Sequence, residues 1–82
     1  MTNWNVEYTD TYGGQANYCW VKRGRIETPE RAKRALVMRR AKAAVGLSGV
    51  RGRVEDFGDM LEFRPYGMAT VMFVNYDDTP QD

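Results

Sequence analysis

The segment from Thr28 to Val45 is the feature that most constrains how this chain can fold. It opens with "TPE", in which Thr28 can cap free backbone amides and Pro29 suits the first position of a helix. Glu30 favours the positive end of the helix dipole. No glycine and no further proline occurs before Gly46. The sequence therefore predicts one helix over about residues 29–45, ended by Gly46 or by Gly49 beyond it.

The residues before this helix have the twofold period of β-strands. In "NWNVEYT" the side chains of Trp4, Val6 and Tyr8 fall on one face, between polar residues that fall on the other. Gly13-Gly14 can adopt the positive φ of a hairpin connection. Residues 16–26, "ANYCWVKRGRI", are predicted to return as the second strand, and the sequence leaves open which of its faces is buried.

The residues after the helix also predict strands. Residues 48–59 indicate a loop with a short strand, and residues 59–65 and 68–76 indicate two strands joined by a turn at Pro65 and Gly67. Facing apolar side chains stabilise such a pair. The residues expected on its inward face are Leu61, Phe63, Ala69, Val71 and Phe73.

These elements predict an α+β fold in ββαββ order, with one helix packed on one face of an antiparallel sheet of four to five strands. Eighty-two residues, 43% of them hydrophobic, provide one small core, so residues 1–82 are expected to form a single domain. Residues 77–82 are expected to be a frayed tail. Cys19, the single cysteine, cannot form an internal disulfide, and we expect it to be buried.

The net charge of +1 hides a strong separation of charge along the chain. Residues 22–53 contain eleven of the twelve lysines and arginines and only two acids, whereas residues 54–82 contain seven acids and one arginine. Such a separation favours interaction with a partner, because local potentials steer association. The alternative is that the acidic and basic elements pack side by side and neutralise each other.

A helical projection of residues 31–47 gives two apolar arcs separated by basic stripes, where a helix on a sheet needs one apolar stripe. Long basic side chains can cover the second arc, or that arc can contact a macromolecule. The candidate partner-binding residues are Arg31, Arg34, Arg39, Arg40, Lys42, Arg51 and Arg53. Tyr12, Tyr18 and Trp20 are candidates for stacking on bases, although aromatic residues on strands more often belong to the core.

The composition argues against catalysis. The chain has no histidine, one cysteine and one serine, Ser48, so it cannot form a Ser-His or Cys-His pair. The carboxylates at positions 55, 56, 59 and 62 are more typical of a solvated turn than of a metal site. We therefore expect a binding protein without a catalytic site, metal or cofactor. No segment predicts a membrane span or a secretory leader, which favours a cytoplasmic location.

Two stretches, "VEYTDTYGGQANYCWVKR" and "GVRGRVEDFGDMLEFRPYGMATVMFVNYDD", resemble small proteins carried by bacteriophages and prophages. Proteins of that kind include inhibitors of host defence, with anti-CRISPR proteins among them, which act by stoichiometric binding. The resemblance implies a host protein or ribonucleoprotein complex as the partner. Many such inhibitors are strongly acidic mimics of DNA. Here the acids are confined to one block, so an inhibitor of this composition is expected to cover its partner with the basic helix.

Two other interpretations stay open at this point. Residues 22–53 can serve as a small nucleic-acid-binding module whose affinity falls steeply with salt. The chain can also form a homodimer through an exposed sheet face or an open strand edge. A helix with this much like charge is a poor surface for self-association, so a dimer is expected at the sheet.

Overall fold

The computed structural model describes residues 2–77, which form an α+β fold with one helix and a five-stranded antiparallel sheet. The elements are β1 Thr2–Tyr12, β2 Gln15–Thr28, α1 Arg34–Ala44, β3 Gly52–Asp56, β4 Met60–Pro65 and β5 Thr70–Asp77. The predicted α+β class, with an antiparallel sheet and one helix, is confirmed. The order along the chain is ββαβββ, because the short strand expected within residues 48–59 is a full member of the sheet.

The strands lie side by side in the order β2-β1-β5-β4-β3, so β2 and β3 are the two edge strands. β1 pairs with β2 on one side and with β5 on the other, and the register pairs Val6 with Gly24 and with Val74. β4 lies between β5 and β3, with Phe63 opposite both Met72 and Val54. The sheet therefore consists of one hairpin, β1–β2, and one meander, β3–β4–β5, which are joined by the β1–β5 ladder.

The core lies along the face of the sheet that carries the even-numbered residues of β1 and β5. Val6, Val74 and Leu61 lie in one row across three strands, and all three are fully buried. Val37, Met38 and Ala41 of α1 belong to the same cluster of buried residues. These three residues therefore form the buried side of the helix, whereas Ala43 is exposed.

The helix begins at Arg34, five residues later than the sequence predicts. β2 extends through Thr28, which pairs with Thr2, and the buried Thr28 hydroxyl accepts a hydrogen bond from Trp4 Nε1 at 3.1 Å. Thr28 is thus the last residue of β2 and does not cap the helix. A turn in which Arg31 has a φ of 60° separates Thr28 from the helix. The N-cap residue is Lys33, whose side chain makes no capping bond in the described chain.

The predicted inward face of β5 is wrong by one residue. Leu61 and Phe63 share their face with Met72 and Val74, whereas Val71 and Phe73 lie on the opposite face. A shift of one residue moves every side chain of a strand to the other face. The run "TVMFVNY" is apolar at successive positions, so alternation alone could not assign its faces.

The register of the β1–β2 hairpin shifts at a large, irregular bulge, in which residues 17–20 of β2 lie opposite Asp10 alone. Asp10 organises this bulge: its carboxylate accepts hydrogen bonds from Asn17 Nδ2 at 3.0 Å and from the Cys19 backbone N–H at 2.9 Å. These bonds, the Asn17 bond foremost, lower the pKa of Asp10. Cys19 is exposed in the bulge, so the expectation that it is buried is wrong. Of the predicted frayed tail, residue 77 belongs to β5 and the others lie outside the described residues.

Candidate functional site

A groove of about 610 Å³ lies between α1 and the β3 edge of the sheet. The lining residues come from one side of the helix, the following loop and β3: Arg34, Ala35, Met38, Arg39, Lys42, Ser48, Gly49 and Val54. The helical members recur at spacings of three and four residues, which places them along one side of the helix. Val54 lies opposite Phe63 and provides an apolar surface, with 49% of its area exposed.

Arg34 ties the start of the helix to the β3–β4 turn. Its Nε lies 3.3 Å from Asp56 Oδ2, and its Nη2 donates to the Gly58 carbonyl at 2.6 Å. The guanidinium also lies 5.3 Å from the centroid of the Trp4 ring. The Gly58 backbone N–H and the Arg34 charge hold the pKa of Asp56 below its ordinary value. Arg34 is therefore engaged in structure and contributes little unpaired charge to the groove.

Arg39 and Lys42 give the groove its positive rim. Arg39 is exposed and forms no ion pair with any residue between 2 and 77. Lys42 is half-buried, with its Nζ 4.9 Å from the centroid of the buried Phe63 ring. Among the described lining residues there are three cations and no carboxylate. The groove therefore offers an apolar surface beside two cations that have no acidic partner in the described part of the chain.

The structure brings together Arg34, Arg39 and Lys42 and separates the other candidate residues from them. Arg40 donates to the Glu27 carbonyl at 2.6 Å, on the β2 side of the helix. Arg53 forms an ion pair with Glu55 at 2.8 Å. Arg51 is exposed in the loop before β3. Within residues 2–77 the ion pairs of the acidic residues are with Arg34, Arg53, Arg64 and Arg25, so of the three groove cations only Arg34 has an acidic partner.

Arg31 lines a second cavity, of about 320 Å³, beside the aromatic pair Trp4 and Tyr76. The two rings pack edge to face, with centroids 5.6 Å apart. Arg34 borders both cavities. The sequence did not predict Val54 as a groove residue, because it indicated no strand register for residues 52–56, and Met38 was missed because its groove neighbour Val54 was not placed.

The three candidate stacking residues lie in the β1–β2 hairpin and are accessible. Tyr12 is 81% exposed, Tyr18 52% and Trp20 44%. Trp20 also packs edge to face against Tyr8, with ring centroids 5.2 Å apart. These aromatic residues are not core residues, in contrast to the more common outcome for aromatic side chains on strands.

Within residues 2–77, no three Asp, Glu or Cys side chains lie close enough together to hold a metal ion. The carboxylates of Glu55 and Glu62 lie on one face of the sheet, and Asp56 lies on the other, with Arg34. The helix of the described chain is too short and too polar to cross a membrane. Comparisons with protein-family models, curated proteins and solved structures found no match to this chain.

Proposed function

We propose that this protein is a non-catalytic inhibitor of the phage type, which binds a host defence protein or ribonucleoprotein complex stoichiometrically. The proposed contact surface is the groove beside α1, with the helix packed on one face of the sheet. The observation that carries the proposal is the pair Arg39 and Lys42, which lie beside an apolar groove and have no acidic partner among residues 2–77. No histidine is available for acid–base chemistry, which supports binding rather than catalysis.

The chemistry of the groove favours a protein partner. Protein interfaces are enriched in arginine and methionine around an apolar centre, and the groove combines Arg39, Met38 and Val54. A phosphate backbone, by contrast, is held by an extended row of cations. Here Arg40 and Arg53 are each engaged elsewhere. The matching surface is an acidic patch on a protein, with an apolar side chain that enters the groove.

The inhibitor assignment rests on the resemblance to small phage proteins and on the size of the chain. A domain of 82 residues acts most simply by covering a functional surface of its partner. Such an inhibitor meets host defence complexes in the cytoplasm of the infected cell, which is the location that we propose.

A plaque assay in bacterial hosts with defined defence systems tests this function. We expect the wild-type chain to restore phage growth against one such system and to co-purify with its effector at a fixed ratio. The double variant Arg39→Glu/Lys42→Glu should lose both properties. The matched control is Lys22→Glu/Arg23→Glu, which makes the same charge change at two exposed residues of β2 outside the groove. Equal loss in both variants would contradict the role of the groove, and failure of the wild type against every system would contradict inhibition.

Nucleic-acid binding is the second candidate function, favoured by the exposure of Tyr12, Tyr18 and Trp20. Labelled DNA and RNA should be titrated with the same variants across about 50–300 mM salt. Binding that collapses with salt and with Arg39→Glu/Lys42→Glu would favour this function over the inhibitor. Absence of binding at the lowest salt concentration would exclude it.

A further inference from the structure

β3 presents an open hydrogen-bonding edge whose direction follows from its pairing with β4. The Tyr66 N–H donates to the Arg51 carbonyl at 3.0 Å, and the Phe57 N–H donates to the Met60 carbonyl at 2.8 Å. In an antiparallel ladder, bonded and non-bonded pairs alternate. Together with the register, these two bonds direct the backbone N–H and C=O groups of Arg53 and Glu55 toward β4. The corresponding groups of Gly52, Val54 and Asp56 therefore point outward.

The side chains along this edge are complementary to a second copy of the same strand. Arg53 and Glu55 lie on one face of β3, on either side of the central Val54. In an antiparallel pair related by a twofold axis at Val54, each Arg53 lies directly opposite the partner subunit's Glu55. The outward backbone groups of Gly52, Val54 and Asp56 then meet their counterparts. Opposite charges across a strand pair stabilise it, and like charges destabilise it.

The neighbouring registers are unfavourable for the same reason. A twofold axis at Arg53 places two arginines opposite each other, and an axis at Glu55 places two glutamates opposite each other. The charges of β3 therefore select one register, in which all five residues of the strand are paired. In that register the two Val54 side chains, each 49% exposed in the single chain, lie side by side.

The other edge strand, β2, lacks this complementarity. An antiparallel pair of β2 strands centred at any position from Lys22 to Arg25 brings two basic residues opposite each other. Further along the strand, the Glu27 carbonyl accepts a hydrogen bond from Arg40, and Arg25 forms an ion pair with Asp77 at 3.0 Å. Like charges on an edge strand are a common defence against self-pairing. In this molecule the defence is present on β2 and absent from β3.

We propose that the protein forms a homodimer through β3, with a twofold axis at Val54 and two ion pairs between Arg53 and the partner subunit's Glu55. The two sheets join into one sheet of ten strands. The axis is perpendicular to the sheet, so both α1 helices lie on the same side and the two grooves open toward each other. This proposal does not rest on the proposed inhibitor function, although both surfaces include Val54.

Charge exchange tests the dimer and its register together. Sedimentation velocity should be measured from about 10 µM to 1 mM in a Cys19→Ser background, which excludes disulfide-linked dimers. We expect the parent chain to approach twice its mass of 9.4 kDa. Arg53→Glu alone and Glu55→Arg alone should each be monomeric, because each places like charges opposite each other. An equimolar mixture of these two variants should dimerise, because the glutamates at positions 53 and 55 of the first variant then face the arginines at positions 55 and 53 of the second.

The mixture also separates loss of the interface from loss of folding, since unfolded chains would not recover the dimer. The exposed ion pair within one chain contributes little to stability, so both variants should keep the circular dichroism of the parent. The control variant Lys33→Glu, at an exposed residue outside both edge strands, should still dimerise. A parent chain that stays monomeric at the highest concentration would overturn the proposal. So would a dimer that is unchanged in both single variants.

Discussion

Replacement of Thr28 with valine should destabilise the protein through Trp4, not through the helix. The side chains of Trp4 and Thr28 are 4% and 1% exposed, and the indole N–H donates to the Thr28 hydroxyl at 3.1 Å. Valine keeps the shape of threonine but has no acceptor. The buried indole N–H then loses its partner, at a cost of about 1–2 kcal/mol.

The expected loss is large enough to measure in a domain of this size. For a domain of 60–100 residues, 1 kcal/mol lowers the melting temperature by about 4–8 °C. Urea unfolding followed by far-ultraviolet circular dichroism should show a lower midpoint with an unchanged slope, because the surface exposed on unfolding stays the same. A slope that changed would indicate an altered denatured state instead.

A double-mutant cycle with Trp4→Phe distinguishes this bond from a helix cap. Phenylalanine has no N–H, so in the Trp4→Phe background the change Thr28→Val should cost about 1 kcal/mol less than in the wild type. If Thr28 instead capped the helix, its replacement would cost the same in both backgrounds. Equal costs, or a Thr28→Val variant within about 0.3 kcal/mol of the wild type, would refute the assignment.

Three other substitutions have outcomes that the structure fixes. Lys33→Asp should stabilise the protein by about 0.5–1 kcal/mol in thermal unfolding, because the N-cap lacks a side-chain bond; an unchanged melting temperature would contradict this. Gly52→Ala should destabilise it by about 1–3 kcal/mol in urea, because the new Cβ would collide with the Arg64 carbonyl and lie 2.7 Å from Phe63 Cε1. Asp10 has its pKa lowered from 3.8, so its contribution is present above pH 3.8 and is lost as the pH falls through the lower folded value. Urea midpoints measured down to about pH 2 should therefore decline less steeply for Asp10→Asn, and equal slopes would contradict the role of the carboxylate.

The sequence predicts the parts of this fold whose patterns are local. The alternation of Trp4, Val6 and Tyr8 assigns the buried face of β1, because each polar neighbour marks the opposite face. The hairpin at Gly13-Gly14 is equally local, since both glycines have the positive φ that the turn requires. The predicted antiparallel sheet with one helix follows from such segments.

The errors arise where a long-range contact overrides a local preference. Thr28-Pro29-Glu30 is a pattern typical of a helix N-terminus. Thr28 nevertheless lies in the sheet, because it pairs with Thr2 and accepts a hydrogen bond from Trp4. Arg39 and Lys42 were expected in a basic surface, and sequence alone could not place them beside Val54, because this proximity depends on the strand order. For the same reason the sequence did not predict the partners of Arg40 and Arg53, which bond to the Glu27 carbonyl and to Glu55 in the folded chain.

The ladder between β1 and β5 has a consequence for how the chain folds. Its paired residues, from Asp10–Thr70 to Asn3–Asp77, are separated by 60 to 74 positions along the chain. The β1–β2 hairpin and the β3–β4–β5 meander form by closing short loops, whereas this ladder requires the closure of a much longer one. The two halves should therefore gain structure first and join late, with β1–β5 pairing in the slow step. Until then, one long edge of each half is open to the solvent, and that interval is when this protein is most exposed to aggregation.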